Sequence, residues 1–255
     1  MIITADIGNS NIVIGILNDK KELVFMARTV TAKNENDEYF YKTIKNILEE
    51  NEAPVNEVKG AILSSVVPEI SDKVKKALDD ITDTETVIAN QDLKTGIKVM
   101  TENRKQLGND LLVDAVAAVN QHDGDIIIFD MGTATTCSVV NKSREYLGTI
   151  IIPGVAISYQ ALSDKASQLP KIEFKAPKNL IGRNTVECMQ SGLVYSNAAM
   201  VDGIIDRVEE VLGSNATVIA TGGIAGLIVP YCKKKIIYDP DLLLKGLYDL
   251  YVMNK

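Results

Sequence analysis

The chain has one histidine, no tryptophan and three cysteines among its 255 residues. His122 alone rules out a histidine-rich metal site, and any histidine-based nucleophile triad would have to use it. It sits in Asn120-Gln121-His122-Asp123-Gly124, which reads as a polar helix end followed by a turn, and so as a surface histidine. Cys137, Cys188 and Cys232 are far apart without CxxC spacing. They form neither a disulfide framework nor a zinc site, and they suit a reducing cytoplasm. The longest apolar stretch, about Leu147 to Ile157, is broken by Pro153-Gly154, too short to span a bilayer. The opening residues lack the basic segment of a signal peptide, so a cytoplasmic protein without membrane attachment is expected. A net charge of −7 argues against nucleic acid as a partner. Also absent are GxxxxGK[ST] and any Gly-Lys dipeptide, which removes the P-loop, and GxGxxG, HRD and DFG, which removes the usual dinucleotide folds and protein kinases.

What is present is a repeated turn. Ile3-Thr4-Ala5-Asp6-Ile7-Gly8-Asn9-Ser10-Asn11-Ile12-Val13 and Ile127-Ile128-Phe129-Asp130-Met131-Gly132-Thr133-Ala134-Thr135-Thr136 share a pattern 124 positions apart. An apolar run ends in Asp-x-Gly, small hydroxyl or amide residues follow, and then a second β-like stretch. Such an offset in a chain of this length predicts two related halves. A tight strand-to-strand turn can present backbone N–H groups to phosphate, Asn, Ser and Thr add neutral donors, and the aspartate can hold a cation. With Thr221-Gly222-Gly223 at a strand-to-helix turn, the pattern predicts paired hairpins offered to the phosphates of ATP.

Around these turns the sequence alternates β and α patterns, predicting a layered α/β protein with a partly parallel sheet. Apolar spacing predicts helices over Tyr39 to Glu50, Ser71 to Leu78, Gln106 to Asn120, Thr185 to Leu212 and Leu242 to Met253. The division is expected at 1–115 and 116–255. Asp110, at the start of a helix, is a carboxylate favoured by the helix dipole, and Asp114, one turn on and facing the same way, could support it but reads better as a solvated helix residue.

In this combination the residues resemble the type III pantothenate kinases of the actin-like ATPase and sugar kinase superfamily, from Asp6 to the closing Asp239-Pro240-Asp241-Leu242-Leu243-Leu244-Lys245-Gly246-Leu247. The resemblance implies two actin-like (ribonuclease H-like) half-domains, mixed sheets flanked by helices, with dimerisation helices in the second half. It implies ATP-dependent phosphorylation of pantothenate to 4′-phosphopantothenate by a cytoplasmic homodimer. Asp6, Ile7, Gly8, Asn9, Ser10, Asn11, Ile12 and Val13 would contact ATP with Thr133, and Gly222 and Gly223 would lie near the adenosine. Magnesium is implied near Asp6, and a monovalent cation, potassium or ammonium, at Asp130. Gly108-Asn109-Asp110-Leu111 occupies the family's Gly-x-Asp-Arg position, which makes Asp110 the implied catalytic base and all four residues, with Thr185, implied pantothenate contacts.

Three positions depart from that pattern. Leu111 stands where the family has arginine, Thr101 where an aromatic residue is frequent, and Cys188 replaces a serine of Thr185-x-x-Ser-x-x-Ser191-Gly192. Arg104 or Arg183 could supply the missing cation. The alternatives are a sugar or small-alcohol kinase of the same superfamily, and a non-catalytic nucleotide-binding regulator.

Overall fold

The computed structural model describes residues 1–255, the side chain of Lys105 excepted. In chain order the elements are β1 (Ile2–Ile7), β2 (Asn11–Leu17), β3 (Leu23–Val30), α1 (Asp37–Glu50), β4 (Ala61–Ser65), α2 (Pro68–Thr82), β5 (Val87–Ile88), β6 (Lys98–Val99), α3 (Asn109–Gln121), β7 (Ile126–Met131), β8 (Ala134–Val140), β9 (Glu145–Pro153), α4 (Val155–Lys165), α5 (Thr185–Leu212), β10 (Thr217–Thr221), α6 (Ala225–Ile228), β11 (Ile237–Tyr238) and α7 (Leu242–Met253). The chain forms two compact units: Met1–Ile97 with Glu102–Ala117 and Asp241–Lys255, and Lys98–Thr101 with Ala118–Pro240.

The first unit holds a sheet in the order β3-β2-β1-β4-β5. β1 and β2 form an antiparallel hairpin, β3 adds antiparallel to β2, and β4 pairs parallel to β1. On one face Ile3, Ala5 and Ile7 join Phe40, Ile44 and Leu48 of α1 and Ile70, Val74 and Leu78 of α2 in a buried core. These helices follow from local chemistry. Asn36 caps α1 by accepting the Tyr39 N–H at 2.9 Å, and Pro68, whose missing N–H costs nothing at a first turn, opens α2. The opposite face, where Thr4 and Gly15 lie, is covered by α7: a Cβ on Gly15 would come within 2.8 Å of Leu244 Cδ1. Because its apolar stripe of Leu244, Leu247 and Tyr251 is buried there, the closing helix belongs to the first unit, whereas chain order alone had grouped it with residues 116–255.

The second unit repeats this plan in the order β11-β10-β7-β8-β9-β6. Taken from β9 to β11, it matches β3 to β5 strand for strand: a hairpin, a third antiparallel strand on one side, and parallel strands on the other. β6 is an addition at the edge, parallel to β9, and is too short to leave a period in the sequence. Ile127, Phe129 and Met131 pack with Val218, Ala220 and the Leu193, Val194, Ala198, Val201 and Ile205 face of α5. α5 spans the expected residues. Asn184 accepts the Glu187 N–H at 3.0 Å, Glu187 in return accepts the Arg183 N–H at 3.1 Å, and Gly213 ends the helix at φ +70°.

The turn after β10 packs closely against Asp130. Gly222 has φ +91°, and a Cβ there would lie 2.5 Å from Asp130 Oδ1 and 2.6 Å from the Met131 nitrogen. Gly213 has an equally left-handed backbone but nothing within 4 Å. Alanine at either position carries the backbone penalty, about 1 kcal/mol. Gly222→Ala must also displace the Asp130 carboxylate, so its urea midpoint should fall further than that of Gly213→Ala; equal losses would show that the space beside Asp130 is open.

Candidate active site

Each sheet ends its central hairpin in an aspartate. In the first, Asp6 lies opposite Val13 on β2 and opposite Ser64 on β4. The hairpin closes through Gly8 N–H to Asn11 O at 2.9 Å. Thr31, just beyond β3, braces it by donating its hydroxyl to Gly8 O at 2.7 Å, and the Lys33 ammonium reaches Asn9 Oδ1 at 3.1 Å. The turn therefore presents exposed Asn9 and Ser10 with a cation alongside, a setting suited to an anion. Neither Gly8 nor Gly132 has a left-handed backbone. At Gly8 the use is lack of bulk, since a Cβ there would crowd Asn11 O at 3.2 Å, whereas one on Gly132 would meet nothing closer than 3.7 Å.

In the second unit the turn is one residue shorter. Gly132 N–H bonds to Ala134 O at 3.0 Å, and Asp130 lies opposite Thr136 rather than an apolar residue. Thr136 thus places a hydroxyl on the same face as the half-buried Asp130 carboxylate. That hydroxyl is buried without a hydrogen-bond partner, and the absence of a Cβ at Gly222 lets its turn close against the Asp130 carboxylate. An acidic oxygen and an orphaned hydroxyl on one face of the sheet fit a cation. Ser64 repeats the theme in the first unit, with a buried hydroxyl that has no partner, strand-paired with Asp6. Among the described residues no group of three or more His, Cys, Asp or Glu could hold a metal. A divalent ion at Asp6 would therefore complete its shell from phosphate and water oxygens, as magnesium commonly does.

Asp110 stands in the first turn of α3. The Leu111 N–H donates to its Oδ1 at 2.9 Å, yet burial outweighs this and pushes the carboxyl above the ordinary carboxylate range. α3 lies on the Asp6 side of the first sheet: α7 covers that face, and Gly246 of α7 sits against the backbone of Val113. Beside the helix start is a cavity of about 630 Å³ lined by Ser65, Val66, Asn90, Gln91, Asp92, Arg104, Gln106, Leu107, Gly108 and Asn109. Its wall joins the first turn directly, because Val66 N–H bonds to Ile7 O at 3.0 Å. The first unit thus brings together the Asp6 to Val13 turn, Gly108, Asn109 and the base candidate. The second brings together Asp130 and Gly222, with Thr133 and Gly223 exposed on the adjoining turns. Thr185 is exposed at the start of α5 and joins neither cluster in contacts within its unit. Asp114 is buried at 1% exposure, which overturns its reading as a solvated residue: α3 is covered on the side where 110 and 114 align.

Sequence reasoning missed Ser64, Thr31, Lys33 and Thr136. Ser64-Ser65 at the end of an otherwise apolar strand and the extra threonine of Thr133-Ala134-Thr135-Thr136 were signals. Thr31 and Lys33 reach the turn through the β2–β3 pairing, which no short motif displays.

The sequence model describing type III pantothenate kinase matches residues 2–207. A type III pantothenate kinase of Bacillus cytotoxicus is 37% identical over 254 residues, covering 100% of this chain and 97% of that one. Among solved structures, a Baf family transcriptional activator from Campylobacter jejuni superposes with a TM-score of 0.59 at 18% identity, covering 99% of this chain and 98% of the other. A sugar kinase from Cytophaga hutchinsonii superposes with a TM-score of 0.52 at 15% identity, covering 99% of each chain. Those two establish the actin-like sugar kinase fold and nothing about chemistry. On the sequence match over most of its length, the chain belongs to the type III pantothenate kinase family.

Proposed function

We propose that Asp110 takes the hydroxyl proton of pantothenate as that oxygen attacks the γ-phosphorus of ATP in line with the leaving ADP. The reaction is the ATP-dependent phosphorylation of pantothenate to 4′-phosphopantothenate, the first step of coenzyme A biosynthesis, as family membership implies. The observation that carries the assignment is a carboxylate at a helix start, its pKa raised by burial, beside a cavity that its own motif lines. A raised pKa makes a carboxylate a better proton acceptor.

The remaining roles are those that family membership implies, and we propose them for the matching residues. Asp6, Ile7, Gly8, Asn9, Ser10, Asn11, Ile12 and Val13 contact ATP, as do Thr133 and, at the adenosine, Gly222 and Gly223. Gly108, Asn109, Leu111 and Thr185 contact pantothenate. A divalent metal, magnesium held with the help of Asp6, neutralises charge on the transferring phosphoryl group when bound. Asp130, with the Thr136 hydroxyl on its face of the sheet, holds a monovalent cation, potassium or ammonium.

The protein works as a cytoplasmic homodimer. Exposed apolar residues on β9, α4 and the segment before α5, Ile150, Ile151, Ile157, Leu180 and Ile181, support a second copy of the chain as the cover for this surface. Three free cysteines suit a reducing compartment, and among the described residues no helix is long and apolar enough to cross a membrane.

ADP release measured with ATP, magnesium and potassium should depend on added pantothenate; release that ignores pantothenate sinks the kinase reading. Asp110→Asn should lose turnover by about a hundredfold or more while ATP still binds. The folded protein holds this proton more tightly than the unfolded chain. Asp110 therefore favours folding at low pH, and that advantage is lost as pH rises through its native pKa. The asparagine variant should accordingly melt at or above the parent temperature at neutral pH, and parental rates in it would refute the base assignment.

A further inference from the structure

A type III pantothenate kinase with leucine at position 111 lacks a charge where its acceptor's carboxylate must be met, and the cavity beside α3 shows where another is available. Among the described residues lining it, Arg104 is the one cation. Arg104 belongs to the short helical turn Arg104–Gln106, immediately before Gly108, Asn109 and Asp110. Its guanidinium is held from one side: Nη2 donates to the carbonyl of Gln91 at 3.0 Å. Gln91 is itself tied down, its side-chain amide donating to Leu107 O at 2.9 Å. The loop that anchors the arginine and the residue that leads into the Gly108 motif are thus bonded to one another.

Among the described residues no carboxylate lies within ion-pair distance of Arg104. Among the described residues its guanidinium makes one hydrogen bond, to Gln91 O, which leaves the planar fork donors to suit a carboxylate. Asp92 also lines the cavity, but its side chain is exposed and its backbone N–H turns back to Asn90 Oδ1 at 2.9 Å. Arg183, the other arginine near a substrate motif, is exposed as Arg104 is, but it lies in the second unit and is not among the residues lining this cavity. A cavity of about 630 Å³ is within the range that takes a small molecule whole. One end would then meet a guanidinium and the other the Asp110 turn.

We infer that Arg104 binds the carboxylate of the acceptor and sets this enzyme's preference for an acidic over a neutral alcohol, in place of the cation missing at Leu111. The inference rests on the pantothenate kinase reading. Arg104 touches the non-reacting end of the acceptor, so it governs binding and leaves the proton transfer at Asp110 alone.

Steady-state kinetics with two acceptors test it: pantothenate, and pantothenol, in which a primary alcohol replaces the carboxylate. The parent enzyme should prefer pantothenate. Arg104→Gln should raise KM for pantothenate about 10- to 100-fold, the worth of one charge-assisted contact. It should leave KM for ATP and kcat near the parent values and KM for pantothenol unmoved, and Arg104→Lys should recover part of the loss. A glutamine variant that keeps the parent's preference, or that loses both acceptors equally, overturns the inference while the kinase reading stands. A parent enzyme with no pantothenate-dependent turnover overturns both.

Discussion

The parallel pairing of a hairpin's first strand with a strand that arrives later in the chain, β1 with β4 and β7 with β10, is the constraint on which the site rests. Adjacent parallel strands end at the same edge of the sheet, so whatever follows each strand must turn away beside the other. In the first sheet this sets Val66 against Ile7 and brings the cavity wall up to the Asp6 turn. In the second it sets the Gly222 turn against Asp130, so closely that only glycine fits. Neither arrangement could be made by the hairpin alone.

The same plan built twice differs at its turns, and the difference is visible in a single residue. The first hairpin turn is one residue longer, which leaves Asp6 opposite Val13 but Asp130 opposite Thr136. One aspartate therefore has an apolar cross-strand neighbour and a nearby lysine on its turn, suited to ATP with its metal. The other has a buried, partnerless hydroxyl across its own hairpin, at Thr136, a setting suited to a cation. The proposed base, Asp110, is outside the repeat altogether, on α3.

The paired turns are legible in the sequence because Asp-x-Gly at the end of an apolar run is a local signal with a local cause. The long helix Thr185–Leu212 is legible for the same reason, carrying its caps, Asn184 and Gly213, in its own sequence. What is not legible depends on distant partners. The period of α7 shows an amphipathic helix but not which sheet it covers, so its return to the first unit follows only from its packing beside Gly15. The period of α3 shows which face Asp114 shares with Asp110 but not that this face is covered. Thr31, Lys33 and the cavity around Arg104 are assembled by strand pairing and loop anchoring across many residues, and no motif encodes that.

Burying a carboxylate at the start of α3 is costly, since ionisation there is resisted by the loss of water and only partly recovered through the Leu111 N–H and the helix dipole. The cost is intelligible if that group must take a proton during each turnover. The pH dependence of kcat/KM for pantothenate reports this group in the free enzyme. The acidic limb should fall with a midpoint above the ordinary carboxylate range, because Asp110 accepts no proton once it already carries one. A rate that stays level as the pH falls through that region would contradict the assignment of Asp110 as the base.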